Sequence, residues 1–254
     1  MSGAVLSRRG LILAAGSAGL AGCDQLSRNG GVVRVLGSAE ALNRGSQRLL
    51  LSGQPLAREF SPKDISPVFK PNGSFRGYGE TYDQLVETGF ADWRLRVDGL
   101  VQRPLSLSLE QLRRLPVRTQ ITRHDCVEGW SAIGGWTGVQ LGGLLRAAGI
   151  GPQARFIVFH CLDNLGRGAA ADQYYESIDL FDAFHPQTIM AYALNGRPLP
   201  VKNGAPLRLR VERQLGYKHA KYVHRIEAVA SLAAFGRGKG GYWEDRGYNW
   251  YAGI

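Results

Sequence analysis

The spacing of apolar and polar residues predicts several short strands. Apolar residues alternate with arginine over residues 93–97 (WRLRV), which is typical of a half-buried strand, and Asp98-Gly99 follow as a turn. Residues 156–159 (FIVF) form a continuous apolar run that indicates a buried strand. Alternation returns at residues 207–212 (LRLRVE), which predicts another strand with one face in solvent.

Two short helices are predicted between these strands. The first begins at the capping-box spacing Ser108-x-x-Gln111 and ends before Pro116. The second begins at a similar spacing, Thr137-x-x-Gln140, and ends at Gly149. Short helices interleaved with strands that do not repeat predict an α+β domain.

The same pattern divides the 254 residues into segments. Residues 1–23 hold a charged start and an apolar run shorter than the ~20 residues of a spanning helix, so they are predicted to be an export signal. Residues 24–60 are poor in periodicity and are interpreted as a tether. Residues 61–235 are the predicted globular domain, and residues 236–254 are a glycine-rich but aromatic tail that we expect to pack onto it.

The export signal contains two recognisable features. Arg8-Arg9 before the apolar run resembles the twin-arginine signal, which directs folded proteins out of the bacterial cytoplasm. Leu20-Ala21-Gly22-Cys23 resembles a lipobox, which would make Cys23 the lipid-attached N-terminus of a periplasmic, membrane-anchored protein. The alternative is ordinary cleavage near Ala21, with Cys23 incidental.

The net charge is +10, which alone would suit a nucleic acid, an anionic membrane or an anionic ligand. The basic residues are scattered among carboxylates, and no basic run is interleaved with aromatic residues. No nucleic-acid partner is therefore predicted.

Cys126 has unusual neighbours for a cysteine that only fills a core. It lies in the stretch Arg123–Ser131 (RHDCVEGWS), among ionisable side chains, with Trp136 soon after. Three chemistries remain open: a nucleophile with His124 as its base, a redox thiol with Cys161 as its partner, or a soft-metal ligand. No disulfide is expected, and no zinc-ligand, haem-attachment or P-loop motif occurs.

The motifs around and after Cys126 resemble the sulfite oxidase family of molybdopterin enzymes, and within it the periplasmic methionine sulfoxide reductases. The resemblance covers roughly residues 61–230. The matching stretches, in family order, are Cys126–Ser131 with Trp136–Gly138, Tyr174–Ile178, His185-Pro186, Asn195–Pro200, Asn203–Arg208 and Gly216–Lys221.

The resemblance implies a mixed, β-rich α+β fold of the sulfite-oxidase type that binds Mo-molybdopterin without a nucleotide. It also implies that Cys126 is the single protein ligand to molybdenum. One departure concerns Cys161, which stands where the reductases have a threonine. A thiol is a poorer hydrogen-bond donor than a hydroxyl, so the alternative for Cys161 is a buried packing residue. The positions that match cofactor contacts of the family are Asn72, Cys126, Cys161, Asn203, Arg208, His219, Ala220 and Lys221.

Two further residues are implied on the substrate side. Arg123, with His124, is expected to line the approach to the metal and to bind an anionic substrate such as sulfite. The alternative for Arg123 is a surface ion pair. Tyr174 matches a substrate-side tyrosine, although its neighbour Tyr175 leaves the register ambiguous by one residue. Arg123, Tyr174 and Cys126 are therefore the candidate catalytic residues.

The implied activity is oxygen-atom transfer at a sulfur centre, namely reduction of a small or protein-bound S-oxide. The alternative direction is a sulfite dehydrogenase that passes electrons to a cytochrome. Because the chain has no haem motif, a separate electron partner is expected, either a c-type cytochrome or a membrane haem subunit. Two other classes remain: a cysteine-dependent hydrolase or thiol redox enzyme, and a binding protein that has lost its chemistry.

Overall fold

The computed structural model describes residues 29–50, 52–166 and 168–254, so Arg8-Arg9 and Cys23 lie outside the described residues. The chain divides after Ser52 into two compact units. Within the described ranges, no helix is both long enough and apolar enough to span a membrane.

The described part of the first unit is dominated by one helix, α1 (Gly30–Leu50), within the stretch interpreted as a tether. Its first turn is capped by Asn29, whose side-chain oxygen accepts a hydrogen bond of 2.8 Å from the Gly31 amide. Four glycines and scattered polar residues obscured this helix in the sequence, since each interior glycine weakens helix propensity.

The second unit begins at Gly53, earlier in the chain than the predicted boundary at residue 61. Residues 55–60 run along the domain through hydrogen bonds. The Phe60 amide donates to the Ile121 carbonyl at 2.8 Å, and the Ala57 amide donates to the Gln187 side chain at 2.7 Å.

Two sheets form the second unit, as far as it is described. The strands in chain order are β1 (Arg94–Gly99), β2 (Leu105–Ser108), β3 (Val117–Cys126), β4 (Trp130–Gln140), β5 (Phe156–Asn164), β6 (Gln173–Asp179), β7 (Ile189–Leu194), β8 (Arg197–Pro198), β9 (Arg208–Arg210) and β10 (Val223–Val229). One sheet has the order β2-β1-β10-β5-β6, and only its β1–β10 pair is parallel. The other has the order β3-β4-β7-β8, with β9 also paired to β7. The predicted mixed, β-rich α+β class is confirmed.

The described part of the second unit has four α-helices. Helix α2 (Glu80–Glu87) precedes β1, whereas α3 (Leu109–Arg113), α4 (Leu141–Ala148) and α5 (Leu180–Ala183) join strands. The capping box of α3 is confirmed, because the Gln111 amide donates to Ser108 Oγ at 3.1 Å and Gln111 Oε1 accepts from the Ser108 amide at 2.8 Å. The capping box predicted at Thr137 is wrong. Strand β4 continues to Gln140, and the Thr137 hydroxyl instead lies 2.9 Å from that of Thr119 on β3.

The alternation at residues 207–212 does correspond to a strand, but the predicted solvent-exposed face is wrong. Arg208 and Arg210 are both 0% exposed. Their guanidinium carbons lie 4.9 and 4.4 Å from the centroid of Trp136, and Arg210 forms a buried ion pair with Glu212 at 2.5 Å. The second face of β9 is therefore covered by protein and carries buried positive charge.

Candidate molybdopterin site

A cleft with an empty volume of about 610 Å³, including its open mouth, lies beside Cys126. The walls come from separate parts of the second unit: residues 72–74, the turn 126–128, residues of β5 and β6, the segment around His219, and the C-terminal residues Trp243 and Tyr248. Only the folded chain brings these segments together.

Cys126 reaches the cleft because it is the last residue of β3. It pairs with Trp130 of β4 across a tight turn, in which Gly129 takes the left-handed conformation at φ 85° and its amide donates to the Cys126 carbonyl. Burial raises the pKa of the Cys126 thiol. A thiol in this state is a weak nucleophile, and a bound metal ion would displace its proton.

His124 does not activate this thiol. It lies on the same face of β3 as Cys126, as expected for residues two apart. Its Nδ1 accepts a hydrogen bond of 2.9 Å from Arg210, and no hydrogen bond joins it to Cys126 in the described chain. Burial, followed by the charges of Arg210 and Arg208, holds the pKa of His124 well below its ordinary value, so the ring is neutral. The geometry does not support a Cys–His nucleophile.

Cys161 does not complete a redox pair. Both described cysteines are free, and Cys161 is buried in the main hydrophobic core of the second unit. It is absent from the residues that line the cleft with Cys126. The structure therefore does not bring this predicted cofactor contact to the cleft.

A basic floor is formed by Lys221, which lines the cleft, and by Arg208, which is fully buried near Lys221 and does not itself line the cleft. Arg208 donates to the Asn203 carbonyl at 2.9 Å, and burial, with the nearby charge of Arg210, lowers the pKa of Arg208 to about 9. Burial, with the charge of Arg208, lowers the pKa of Lys221 to about 7. An anionic group bound here would relieve this repulsion, which is the property needed for the phosphate end of a pterin.

Several buried polar atoms in this region have no hydrogen-bond partner in the described chain. A buried polar atom without a partner destabilises the fold by roughly 1–3 kcal/mol, so such a cluster indicates a ligand. Both donors and acceptors are present, which suits a pterin, since its ring and phosphate offer both kinds of group. The atoms are Asn72 Oδ1, Asp163 Oδ1, Asn203 Nδ2, Arg208 Nε and His219 Nδ1.

His219 lines the cleft, and its side chain as well as its backbone is placed to contact a cofactor. Its Nε2 lies 3.0 Å from the Gln214 carbonyl and donates to it, which leaves Nδ1 as an acceptor. Burial, then the charges of Arg210 and His124, hold the pKa of His219 well below its ordinary value. The adjacent Ala220 is buried, and its carbonyl accepts from the Leu209 amide at 2.8 Å, which fixes the segment against β9.

The two predicted substrate-side residues differ in placement. Tyr174 lines the cleft and donates to the Tyr217 carbonyl at 2.5 Å, whereas Tyr175 faces away and donates to Asp245 at 2.7 Å, which resolves the register. Arg123 does not reach the cleft. Its side chain is 57% exposed and pairs with Asp125 at 2.9 Å, because it lies three residues from Cys126 and so on the opposite face of β3.

Sequence reasoning missed Asp163 and Ser74, which also line the cleft. Ser74 Oγ donates to Asp163 at 2.5 Å, and burial raises the pKa of Asp163 to about 6. A signal was present in the sequence, since Asp163 continues the buried positions Ile157, Phe159 and Cys161 of β5. A carboxylate at such a position needs a polar partner or a ligand.

Residues 83–233 match the family model described as oxidoreductase molybdopterin binding domain. This match covers more than half of the chain, so the protein belongs to that family and is a molybdopterin oxidoreductase. Its cofactor is Mo-molybdopterin.

Among curated proteins, the chain is 39% identical over 200 residues to the putative protein-methionine-sulfoxide reductase subunit YedZ1 of Azospira oryzae, covering 76% of this chain and 70% of that protein. It is 35% and 37% identical to the protein-methionine-sulfoxide reductase catalytic subunits MsrP of Xanthomonas campestris and Gluconobacter oxydans, over 55% and 54% of this chain. The chain spans about half the length of these two MsrP proteins, 46% and 47%.

Among solved structures, the sulfane dehydrogenase SoxCD from Paracoccus pantotrophus is similar over 56% of this chain and 39% of that chain. The TM-score is 0.49 and the sequence identity is 24%.

The residues present fit the cofactor. In the described ranges, no group of three or more His, Cys, Asp or Glu side chains could hold a metal ion by itself, so Cys126 would act as a ligand together with donors that the cofactor brings. His219 and Lys221, which line the cleft, would hold the pterin and its phosphate. Asn203 and Arg208 do not line the cleft; Arg208 donates to the Asn203 and His219 carbonyls and so supports the segment that does. When bound, this group supplies two-electron redox chemistry with transfer of an oxygen atom.

Proposed function

We propose that this enzyme reduces S-oxides, with a sulfoxide as its substrate. The observation that carries the proposal is the chemistry of the cleft mouth beside Cys126. Glu128 and the aromatic rings of Trp243 and Tyr248 line it, whereas Arg123, the cation expected to bind an anionic substrate, lies on the other face of β3. The names of the curated relatives, which describe protein-methionine-sulfoxide reductases, support the same direction.

The net reaction takes one sulfoxide, two electrons and two protons to one thioether and one water. Cys126 would hold the metal at the end of β3 through its sulfur. Tyr174 keeps its proton, because burial raises its pKa well above the ordinary value, so its hydroxyl donates to the Tyr217 carbonyl and could instead donate to the oxygen of a sulfoxide substrate. The buried basic floor neutralises the anionic end of the cofactor.

A second candidate is sulfite oxidation. It is favoured by Tyr174, which lines the cleft as the resemblance to sulfite oxidases implies. In this direction sulfite and water give sulfate, two protons and two electrons, which a cytochrome would accept.

The electron partner and the location are part of the proposal. The relatives are named as subunits, which supports a separate protein, a c-type cytochrome or a membrane haem subunit, as the source of electrons. The sequence features Arg8-Arg9 and Cys23 support export to the periplasm and attachment there by an N-terminal lipid.

A steady-state comparison tests the direction of catalysis. The molybdenum-loaded protein would be assayed with methionine sulfoxide and reduced viologen, and in parallel with sulfite and oxidised cytochrome c. We expect turnover in the first assay at least tenfold faster than in the second. Turnover with sulfite alone would reject the reductase assignment in favour of the second candidate.

A further inference from the structure

The C-terminal segment, residues 236–254, adds a wall to the cleft that the family match does not include. The matched region ends at residue 233, yet Trp243 and Tyr248 line the same cleft as Cys126. The basic floor, by contrast, lies within the matched region. The shared family domain thus supplies the inner part of the site, and the C-terminal segment supplies part of its outer wall.

Aromatic rings continue along this wall in contact with one another. Tyr174 stacks on Tyr242 with centroids 5.6 Å apart, and Tyr242 meets Trp243 edge to face at 5.3 Å. Trp243 lies 5.3 Å from Tyr248, which in turn meets Tyr217 edge to face at 5.2 Å. Each ring limits the movement of the next, so the wall has a defined shape.

Of the two C-terminal rings, Tyr248 lies toward the open side of the cleft, and Trp243 is partly buried beside it. Tyr248 is 39% exposed, and Val127, on the turn that follows Cys126, is 48% exposed. Glu128 on the same turn has a half-exposed side chain. A molecule that approaches Cys126 from solvent would therefore meet apolar and aromatic surface together with a carboxylate.

Buried charges hold the segment in place. Lys218 donates to Glu176 of β6 and to Glu244 of the segment, each at 2.5 Å, and all three side chains are at most 1% exposed. The Tyr242 amide also donates to the Tyr175 carbonyl at 3.0 Å. Removal of one partner from a buried ion pair is strongly destabilising. These contacts therefore hold the C-terminal segment in a defined position against β6.

We propose that Trp243 and Tyr248 contact the substrate and select molecules whose oxidised sulfur carries uncharged alkyl groups. This inference rests on the proposed S-oxide reduction. Sulfur and methyl groups make favourable contacts with aromatic rings. Glu128 is paired with Lys70 at 3.9 Å, so the negative ring faces, rather than the charge of this carboxylate, disfavour an anion such as sulfite. The C-terminal segment is therefore the specificity-determining part of the site.

A matched pair of tryptophans in this segment tests the proposal. Trp243 and Trp250 are both partly buried, but only Trp243 lines the cleft. Trp250 packs edge to face on Phe156 at 5.5 Å, donates to Ser177 Oγ at 2.8 Å and lies with its ring centroid 5.3 Å from Lys218 Nζ, so its replacement perturbs the anchoring of the segment without removing a ring from the cleft. Trp243→Leu and Trp250→Leu would be prepared in the full-length, molybdenum-loaded enzyme. Tyr248→Ala would be prepared beside them, since this exposed ring can be removed with little risk to folding.

The probe is N-acetylmethionine sulfoxide amide, which is uncharged. Its dissociation constant would be measured by calorimetry on the oxidised enzyme, and its kcat and KM with reduced viologen. For Trp243→Leu and Tyr248→Ala we expect about a fivefold to twentyfold increase in the dissociation constant and KM, with kcat changed less than threefold. For Trp250→Leu we expect both constants to stay within twofold of the wild type, with a comparable loss of thermal stability.

The outcomes separate this inference from the proposed function. If the wild type binds and reduces the probe, but Trp243→Leu and Tyr248→Ala have the same dissociation constant and KM as Trp250→Leu, then substrate contact by Trp243 and Tyr248 is rejected and the proposed S-oxide reduction stands. If the wild type binds the probe and these two variants bind it more weakly, but the wild type does not reduce it, then contact by Trp243 and Tyr248 stands and the proposed S-oxide reduction is rejected. If the wild type does not bind the probe, substrate contact by Trp243 and Tyr248 is rejected.

Discussion

The position of Cys126 follows from the pairing of β3 with β4. Cys126 is opposite Trp130 at the end of the ladder, so its side chain is presented where the hairpin turns and the cleft begins. Burial raises the pKa of this thiol, which favours the protonated form until a cation binds. The residue is thus suited to metal ligation and poorly suited to act alone.

Replacement of Cys126 by alanine should lower activity by roughly a hundredfold or more. Even residues that only support metal ligands change activity about 10–100-fold when mutated, and Cys126 is the proposed ligand itself. Activity and the Mo(V) paramagnetic resonance spectrum would be measured. Cys161→Ala is the matched control, since Cys161 is also a buried free cysteine but lies in the core. An unchanged resonance in Cys126→Ala would reject the ligand assignment.

The basic floor should give anion binding a defined pH dependence. Lys221 is positively charged below its lowered pKa of about 7 and loses that charge above it, so anion affinity should fall as pH rises. For the cofactor-free protein, we expect sulfate to bind about tenfold more weakly at pH 8.5 than at pH 7, by calorimetry. This range avoids most of the ionisation of Asp163, whose pKa is about 6.

Lys221→Met should remove most of this pH dependence and weaken binding at pH 7. The exposed neighbouring lysine, Lys202, provides the control variant Lys202→Met, which should bind sulfate as the wild type does. A pH dependence that persists in Lys221→Met would assign the effect to other groups of the cleft.

At the scale of elements, helix α3 and strand β4 show how similar local patterns lead to different structures. Ser108 and Gln111 form a complete capping box, whereas Thr137 has the same spacing to Gln140 but belongs to a strand. Residues 136–139 of β4 pair with both β3 and β7, and Gln140 pairs with β7. This ladder on both sides determines the conformation of the second site.

Loss of the hydroxyl group should change the free energy of unfolding more at Ser108 than at Thr137. Ser108→Ala should lower the free energy of unfolding by about 1 kcal/mol, since it leaves a helix amide without its cap. Thr137→Val, which keeps the β-branched shape of the strand residue, should change it by less than about 0.5 kcal/mol. Urea unfolding of both variants measures the difference. Equal losses would contradict the structural assignment of the two sites.

At the scale of the whole molecule, the roles proposed for the catalytic unit and for the N-terminal region are separate. The cleft belongs entirely to the unit that begins at Gly53. The proposed export and lipid attachment depend on the first 23 residues, which are outside the described chain. Changes at the N-terminus should therefore alter location without altering the active site.

Mass spectrometry of the mature protein from a bacterial host should show a diacylglyceryl adduct on Cys23 as the N-terminal residue. Cys23→Ala should move the protein from the membrane fraction to the soluble periplasm while its specific activity stays within twofold, because two acyl chains account for stable attachment. A mature terminus that lacks the adduct, or a variant that stays at the membrane, would contradict lipid anchoring.

The sequence by itself determined the features that depend on local chemistry. The α3 capping box, the buried strand at residues 156–159, the end of α4 at Gly149 (φ 69°) and the family motifs around Cys126 were all readable from adjacent residues. Each of these depends on interactions between residues close in the chain, so the linear pattern contains them.

Tertiary structure decided which of these residues share the site. The alternation of residues at β9 predicted two faces, but not that Trp136 covers the face with the arginines. In β3, Arg123 and Cys126 lie on opposite faces of the strand, so they do not share the cleft. The addition of Trp243 and Tyr248 to the cleft depends on the buried contacts of Lys218, which join residues far apart in sequence. Packing between residues far apart in the chain leaves no periodic pattern in the sequence. It nevertheless determines whether a charged side chain is solvated or buried, and which side chains a substrate contacts at the mouth of the cleft.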